Sequence, residues 1–304
     1  MKEQLIQLMK NQIFAIENQL LKQQMLDYFE FKSQTNFPFA ELVVSHYKLF
    51  GGVSQSIIKV AYGVELMILS FDIFDDIEDQ DCSRAPWNNS KPELALNTAT
   101  VLFHLSHMVL DKAFLEFEQG QAAKELFNQF TLHSINGQHQ DLQNTVKNEQ
   151  EYFEVTKRKS GALVSLACSI GTVLANDTFI EKIIAYGYLL GITSQIQNDI
   201  EDVLRNDEKN DLLYKKKTLP TIYLLNDKRK DFKIVQDYYK GIVSYEAMKE
   251  IQQDLIEKTK TSGAVEYANV HLYLKQQEAI KLIEESSLPQ YVKEQLIQQV
   301  LPNQ

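Results

Sequence analysis

Cysteine is nearly missing from this chain: Cys82 and Cys168 stand in separate segments of 304 residues. Two isolated thiols build neither a disulfide framework nor a cysteine-rich metal site, so the sequence reads as a cytoplasmic, disulfide-free protein. Glycine (11) and proline (6) are also scarce, which leaves few turn signals for a strand-rich architecture. Basic residues are outnumbered, 31 against 41 acids, and the resulting charge of -10 disfavours nucleic acid or an anionic bilayer as the main partner. A small, locally held phosphate is still compatible with that charge. Long apolar runs are absent too. The most apolar stretch, SGALVSLACSIGTVLA from Ser160 to Ala175, is shorter than the ~20 residues of a membrane span. The opening MKEQLIQLMKNQ lacks the apolar core and small-residue cleavage site of a signal peptide.

What is present is helical periodicity. Hydrophobic residues make up 44% of the chain and recur at three- and four-residue spacing almost everywhere, which predicts an all-α protein. The spacing predicts helices near 3–32, 38–49, 53–79, 92–117, 121–145, 150–175 and 179–205. Shorter ones follow near 218–226, 230–239, 245–260, 264–286 and 289–300. Ser90 with Glu93, Thr178 with Glu181 and Ser287 with Gln290 fit the capping box that opens a helix. No Pro/Ser-rich linker divides the chain, and the polar run RNDEKNDLLYKKK (205–217) reads as a surface loop. A single helical domain over 1–304 is the expectation.

One segment breaks the amphipathic pattern: FDIFDDIEDQD, 71–81. At about 100° per residue, Asp72, Asp75, Asp76 and Asp79 share one helix face, while Glu78 and Asp81 point elsewhere. Like charges at these spacings repel, so the stripe destabilises its own helix unless a counter-ion meets it. A solvated acidic face is the plain alternative. A second cluster weighs against it: QIQNDIED (195–202) puts Gln195, Asn198, Asp199 and Asp202 at the same i, i+3, i+4, i+7 positions, late in another long helix. Two oxygen-rich clusters suit Mg2+, a hard cation that keeps waters and binds a few carboxylates together with substrate phosphate oxygens. No histidine joins either cluster, which disfavours zinc and redox iron. A ferritin-like di-iron bundle needs Glu-x-x-His pairs, and no histidine here has a glutamate three residues before it.

The pair DDIED (75–79) and NDIED (198–202) resembles the two aspartate-rich motifs of class I isoprenyl diphosphate synthases. The likeness extends to VELMILSFDIFDDIED, to GQHQDL (137–142), to KSGALVSLA (159–167) with Ser160 for threonine, and to DLLYKKKTLP (211–220). It covers roughly residues 38–226 in the family's order. The resemblance implies an isoprenoid-synthase helical bundle around a central prenyl diphosphate cavity, and a homodimer. It implies a set of about three Mg2+ ions acting as Lewis acids on an allylic diphosphate. By the same carry-over, Asp75 and Asp79 ligate metal, Asn198 faces a further ion, and Asp76, Asp199 and Asp202 complete the metal set. Arg84, Lys159 and Lys216 match the cations that hold the diphosphate, Gln195 helps to position it, and Phe71, Leu69 and Met67 border the hydrocarbon tunnel. Asn198 departs from the family's aspartate, and an amide oxygen is the weaker Mg2+ ligand.

The second half of the family pattern fails. Chain-elongating synthases hold isopentenyl diphosphate with Gly-Gly-Lys-x-x-Arg and the second arginine of Arg-Arg-Gly. Here Val53, Ser56 and Ala85 stand at the three cationic positions. Losing three charge-assisted contacts of ~1.5–3 kcal/mol each weakens that site by orders of magnitude. An intact ionising half with an altered acceptor half resembles the ComQ-type proteins, as do FAELVVSHYKLFGGVSQSI and the APW at 85–87. That resemblance implies geranyl or farnesyl transfer to a tryptophan of a small quorum-sensing pheromone precursor peptide. Competing expectations are a short-chain synthase with an altered isopentenyl diphosphate site, a terpene cyclase, and a catalytically silent partner subunit.

Overall fold

The computed structural model describes residues 1–79, 85–207 and 209–301; Asp81, Cys82 and Arg84 lie outside these. The helices are α1 (Lys2–Gln12), α2 (Gln19–Lys32), α3 (Pro38–Leu49), α4 (Ile57–Glu78), α5 (Pro92–Phe114), α6 (Gly120–Leu142), α7 (Glu149–Thr156), α8 (Ala162–Ala175) and α9 (Ile180–Val203). Shorter elements follow as α10 (Leu219–Asn226), α11 (Lys233–Tyr239), α12 (Tyr245–Glu250), α13 (Gln252–Lys260), α14 (Ala264–Glu284) and α15 (Gln290–Val300). Among the described residues there is no strand, as the period predicts. No described helix is long and apolar enough to cross a membrane. Cys168 is a free, buried thiol.

Local chemistry revises several predicted boundaries. The helix expected over 3–32 is two, because Ile16 turns to extended backbone and the Asn18 side chain accepts the Leu21 N–H to start α2 afresh. Ser90 does not cap α5: Pro92, which has no N–H to satisfy, opens the helix behind Lys91, and the Ser90 hydroxyl accepts from Tyr28 Oη at 2.8 Å instead. Asn176, not Thr178, supplies the side-chain cap before α9, taking the Thr178 N–H into a short 3-10 turn. Pro289, not Ser287, precedes α15. The stretch 150–175 is interrupted by a π-helical turn at Lys157–Gly161, a feature that period analysis does not register.

The chain forms two compact units. The first comprises Met1–Leu132 and Leu163–Gly187, the second His133–Ala162 and Tyr188–Gln304. In the first unit α4 is buried on every side from Val60 to Ser70, so it reads as apolar all round rather than amphipathic. Its contact with α5 depends on Gly63, where a Cβ would fall 2.6 Å from the Leu110 side chain. Ser106 Oγ also donates to the Gly63 carbonyl there, at 2.7 Å.

The second unit has two apolar clusters. Val146, Tyr152, Val155, Ile192, Ile196, Leu219, Ile222 and Ala268 pack beneath the C-terminal half of α9. Val203, Leu212, Leu213, Leu224, Phe232, Val235, Tyr238 and Met248 pack around the loop that follows it.

Candidate functional site

Both acid clusters fall at C-terminal helix ends. Asp72, Asp75 and Asp76 occupy the last turns of α4, and Asp79 follows directly with its N–H on the Asp75 carbonyl at 2.8 Å. Asn198, Asp199 and Asp202 occupy the last turns of α9. Neither helix has a basic residue in its last turn. The helix dipole is negative there, so each cluster adds like charge to like charge, and a bound cation would relieve both.

Within the first unit the four stripe aspartates have different surroundings. Lys32 Nζ, from α2, donates to Asp72 Oδ2 at 2.6 Å and stands 3.8 Å from Glu65 Oε1. Glu65 is fully buried two turns earlier on α4, and its Oε2 accepts the Ala40 N–H at 2.8 Å, satisfying the first turn of α3. Burial pushes the Glu65 carboxyl up to about 7 against the opposing pull of Lys32. Burial works against the Lys32 ammonium as well, yet Asp72 and Glu65 hold it above the ordinary lysine value. Asp76 Oδ2 accepts the Trp87 indole N–H at 2.7 Å. Phe71 stacks on Phe103 with ring centres 5.7 Å apart, while Met67 and Leu69 are wholly buried core.

In the second unit Asp199 is buried and both its oxygens are engaged. Tyr152 Oη donates to Oδ2 at 2.5 Å and Gln195 Nε2 to Oδ1 at 2.8 Å. Ser160 Oγ in turn donates to Gln195 Oε1 at 2.6 Å, which fixes the orientation of the amide. Burial raises the Asp199 carboxyl to about 6, although both hydrogen bonds oppose the rise. Asp202 is half-buried and raised for the same reason, with Arg205 Nη1 3.4 Å from its Oδ1. Asn198 is exposed.

Lys159 is placed by the π turn and by Gly137. A Cβ at Gly137 would lie 2.4 Å from the Lys159 backbone nitrogen, so only glycine lets α6 approach this turn. Lys159 Nζ then donates to Asp141 Oδ2 at 2.8 Å, which joins the GQHQDL and KSG segments through one ion pair. Lys216 is exposed, and its backbone N–H returns to the Asp211 carbonyl at 3.0 Å. Arg84 lies outside the described residues.

The altered half shows why the glycines stay while the cations do not. Gly51 has φ +93, in the left-handed region, and a Cβ at Gly52 would lie 2.4 Å from the Tyr47 ring. Gly51 therefore answers to its backbone conformation, and Gly52 to the Tyr47 ring packed against it. Val53 is 89% exposed. Ser56 Oγ donates to Glu116 Oε2, and Lys59, the lone cation of 51–59, donates to Glu116 Oε1 at 2.6 Å. Ser56, bonded to a carboxylate that also pairs with Lys59, therefore stands where the synthase pattern has an arginine.

Three residues that sequence reasoning passed over bond to the acid clusters or neighbour them. Asp211 is buried and held by Thr218 Oγ1 at 3.0 Å; burial, then the Asp199 charge, drives its carboxyl well above the usual range. It opens the DLLYKKKTLP segment, so the motif itself was a signal. Tyr152 and Lys32 had none, since their roles depend on contacts 47 and 40 residues away.

Each cluster, taken within its own unit, fits a hard divalent cation. Each is all oxygen, each is crowded at the negative end of its helix, and burial opposes ionisation of Asp72 in one and Asp199 in the other. Among the described residues no three acidic, histidine or cysteine side chains converge as a ready-made cage. Mg2+ does not demand one, because it keeps waters and draws further oxygens from a substrate phosphate.

Residues 18–287 match the polyprenyl synthetase family. The tryptophan prenyltransferase ComQ of Bacillus subtilis subsp. natto is 36% identical over 259 residues, covering 84% of this chain and 78% of that protein. ComQ of Bacillus subtilis strain 168 is 31% identical over 270 residues, covering 86% of each. The fold superposes on a geranylgeranyl pyrophosphate synthase crystal structure with TM-score 0.83 at 19% identity, over 98% of this chain and 95% of that one. A geranylgeranyl pyrophosphate synthase from Corynebacterium glutamicum, solved with calcium and isoprenyl diphosphate, gives TM-score 0.75 at 19% identity, over 98% and 92%.

Proposed function

The chain belongs to the polyprenyl synthetase family and to its ComQ-type tryptophan prenyltransferase branch, and on that premise we propose that it transfers a geranyl or farnesyl group from an allylic diphosphate to a tryptophan of a small pheromone precursor peptide, with Mg2+ as cofactor. The observation that carries this reading is the asymmetry of the motifs: the ionising residues are kept, while Val53, Ser56 and Ala85 replace the three cations of the isopentenyl site. Glu116 beside Ser56 supports it, because its carboxylate takes up Lys59, the lone cation of 51–59, as well as the Ser56 hydroxyl.

In this reading Asp75, Asp76, Asp79, Asn198, Asp199 and Asp202 supply metal ligands or hold the waters around them. Bound Mg2+ supplies Lewis-acid stabilisation of charge on the departing diphosphate. Tyr152 and Gln195 keep Asp199 ionised against its burial, which is the state a metal site needs. Lys159 and Lys216, with Arg84, donate to the diphosphate oxygens, and Lys159 exchanges Asp141 for the substrate as it does so. The Phe71–Phe103 pair borders the hydrocarbon tail and keeps water from the reacting carbon. The allylic C–O bond breaks, the indole ring carbon forms the new C–C bond, and the indole loses one proton as diphosphate leaves. An electron-rich indole needs no strong protein base for that step.

The test is to incubate the protein with Mg2+, geranyl or farnesyl diphosphate and a tryptophan-containing peptide, and to weigh the products. A peptide heavier by one prenyl group is expected. Extension of the diphosphate by labelled isopentenyl diphosphate, with the peptide untouched, would instead identify a short-chain synthase; hydrocarbon release without either acceptor would identify a cyclase.

A further inference from the structure

We propose that Trp87 is a positioning residue of the first aspartate motif, its indole N–H setting the orientation of the Asp76 carboxylate, and that this one indole reports metal binding at the motif. The inference rests on the metal role proposed above for Asp76. Trp87 is the chain's single tryptophan, 4% exposed, in a short 3-10 turn at Pro86–Asn89. Its ring lies edge-on to Tyr28 at 5.5 Å and to Phe31 at 5.4 Å, both on α2. Two aromatic walls leave the indole little freedom, so its Nε1–H points at Asp76 Oδ2, 2.7 Å away, by packing rather than by chance rotation. Asn88 Nδ2 reaches the same oxygen at 3.4 Å.

A donor fixed on one oxygen selects one rotamer of the carboxylate. That matters for an aspartate in the last turn of α4, where repulsion from Asp72 and Asp75 and the helix dipole favour turning the carboxylate away. The same helix α2 carries Lys32, which holds Asp72 at 2.6 Å. Thus α2 braces two of the stripe carboxylates, one directly and one through Trp87. Indole emission responds to nearby charge, and the Asp76 carboxylate whose charge a bound cation would offset lies 2.7 Å from the ring nitrogen.

Two measurements test the assignment. In the wild-type protein, tryptophan emission is recorded while Mg2+ is titrated in the presence of inorganic pyrophosphate, with binding followed in parallel by calorimetry. Emission is expected to change along the calorimetric isotherm; heat of binding with no change in emission overturns the Trp87 proposal, whereas no heat at all overturns the metal reading as well. In Trp87→Phe, which keeps the ring packing and removes the N–H, the affinity for Mg2+ with pyrophosphate is expected to weaken about tenfold or more, the factor that loss of one charge-assisted hydrogen bond gives. In an Asp76→Asn background the same substitution is expected to add no further loss. Equal effects of Trp87→Phe in both backgrounds would assign the tryptophan a packing role only and overturn the proposal. If Trp87→Phe does not fold, the wild-type emission titration decides alone.

Discussion

Tyr152 and Asp199 are joined by a 2.5 Å hydrogen bond between the phenol and Oδ2, although 47 residues separate them in the chain. The phenol is buried and so is the carboxylate, and the bond favours the ionised form that burial opposes. Removing it in Tyr152→Phe is expected to raise the Asp199 pKa further above about 6. The acid limb of the pH–activity profile should then move to higher pH, with stability falling by about 1–3 kcal/mol for the donor lost. An unchanged acid limb in a folded variant would remove Tyr152 from the site.

Neutralising either motif separates fold from chemistry. Asp75→Asn and Asp199→Asn keep side-chain volume, so the far-ultraviolet circular dichroism should stay that of an all-α protein. Metal-dependent prenyl transfer should drop by roughly a hundredfold or more, the scale seen when one group stabilising developing charge is removed. Near-normal turnover in both variants would sink the metal assignment.

Lys32 is expected to matter more for stability than its place near the N-terminus suggests. Its side chain is 12% exposed, and its ammonium serves a fully buried Glu65 as well as Asp72. Lys32→Met leaves Glu65 without that cation and should cost about 3–5 kcal/mol, the range for breaking a buried pair from one side. Adding Glu65→Gln should restore much of the loss, because the amide removes the stranded charge. Equilibrium denaturation of the single and double variants provides the cycle.

Acid stability should carry the signature of His46. Its Nδ1 donates to the Leu42 carbonyl at 3.0 Å, its buried Nε2 has no hydrogen-bond partner among the described residues, and burial holds its pKa down at about 4. The unfolded value near 6.5 lies above the folded one, so protons favour the unfolded chain. The contribution is present in full above pH ~6.5 and is lost as pH falls toward 4, by up to about 3 kcal/mol. In His46→Gln the stability difference between pH 7 and pH 4 should shrink by about that amount. A slope identical to wild type would show that another group sets it.

Much of the candidate site was legible because helical geometry is periodic. The Asp72, Asp75, Asp76, Asp79 stripe and its second copy at 195–202 could be placed on helix faces without coordinates. Capping was read less well. Ser90 matched a box pattern, but Pro92 makes a competing helix start, and the serine hydroxyl bonds to a tyrosine 62 residues away. The π turn at Lys157–Gly161 was invisible for a related reason: it lies against Gly137 of another helix, a tertiary contact that local spacing does not contain.

By itself, then, the sequence determined that the chain is all-α, that its carboxylates form two stripes, and that Val53, Ser56 and Ala85 stand where the synthase pattern has cations. Each of these depends on residue type and spacing along one helix or segment, which the chain states directly. Only the tertiary structure decided how the acids are held: Asp72 by Lys32, Asp76 by Trp87, Asp199 by Tyr152 and Gln195. Lys159 likewise acquires Asp141, and Ser56 acquires Glu116. Except for Gln195, four residues before Asp199 on the same helix, these partners come from other segments of the chain, where packing and burial select them. A carboxylate's charge state follows from such neighbours and from its desolvation, quantities that no spacing within a single helix contains.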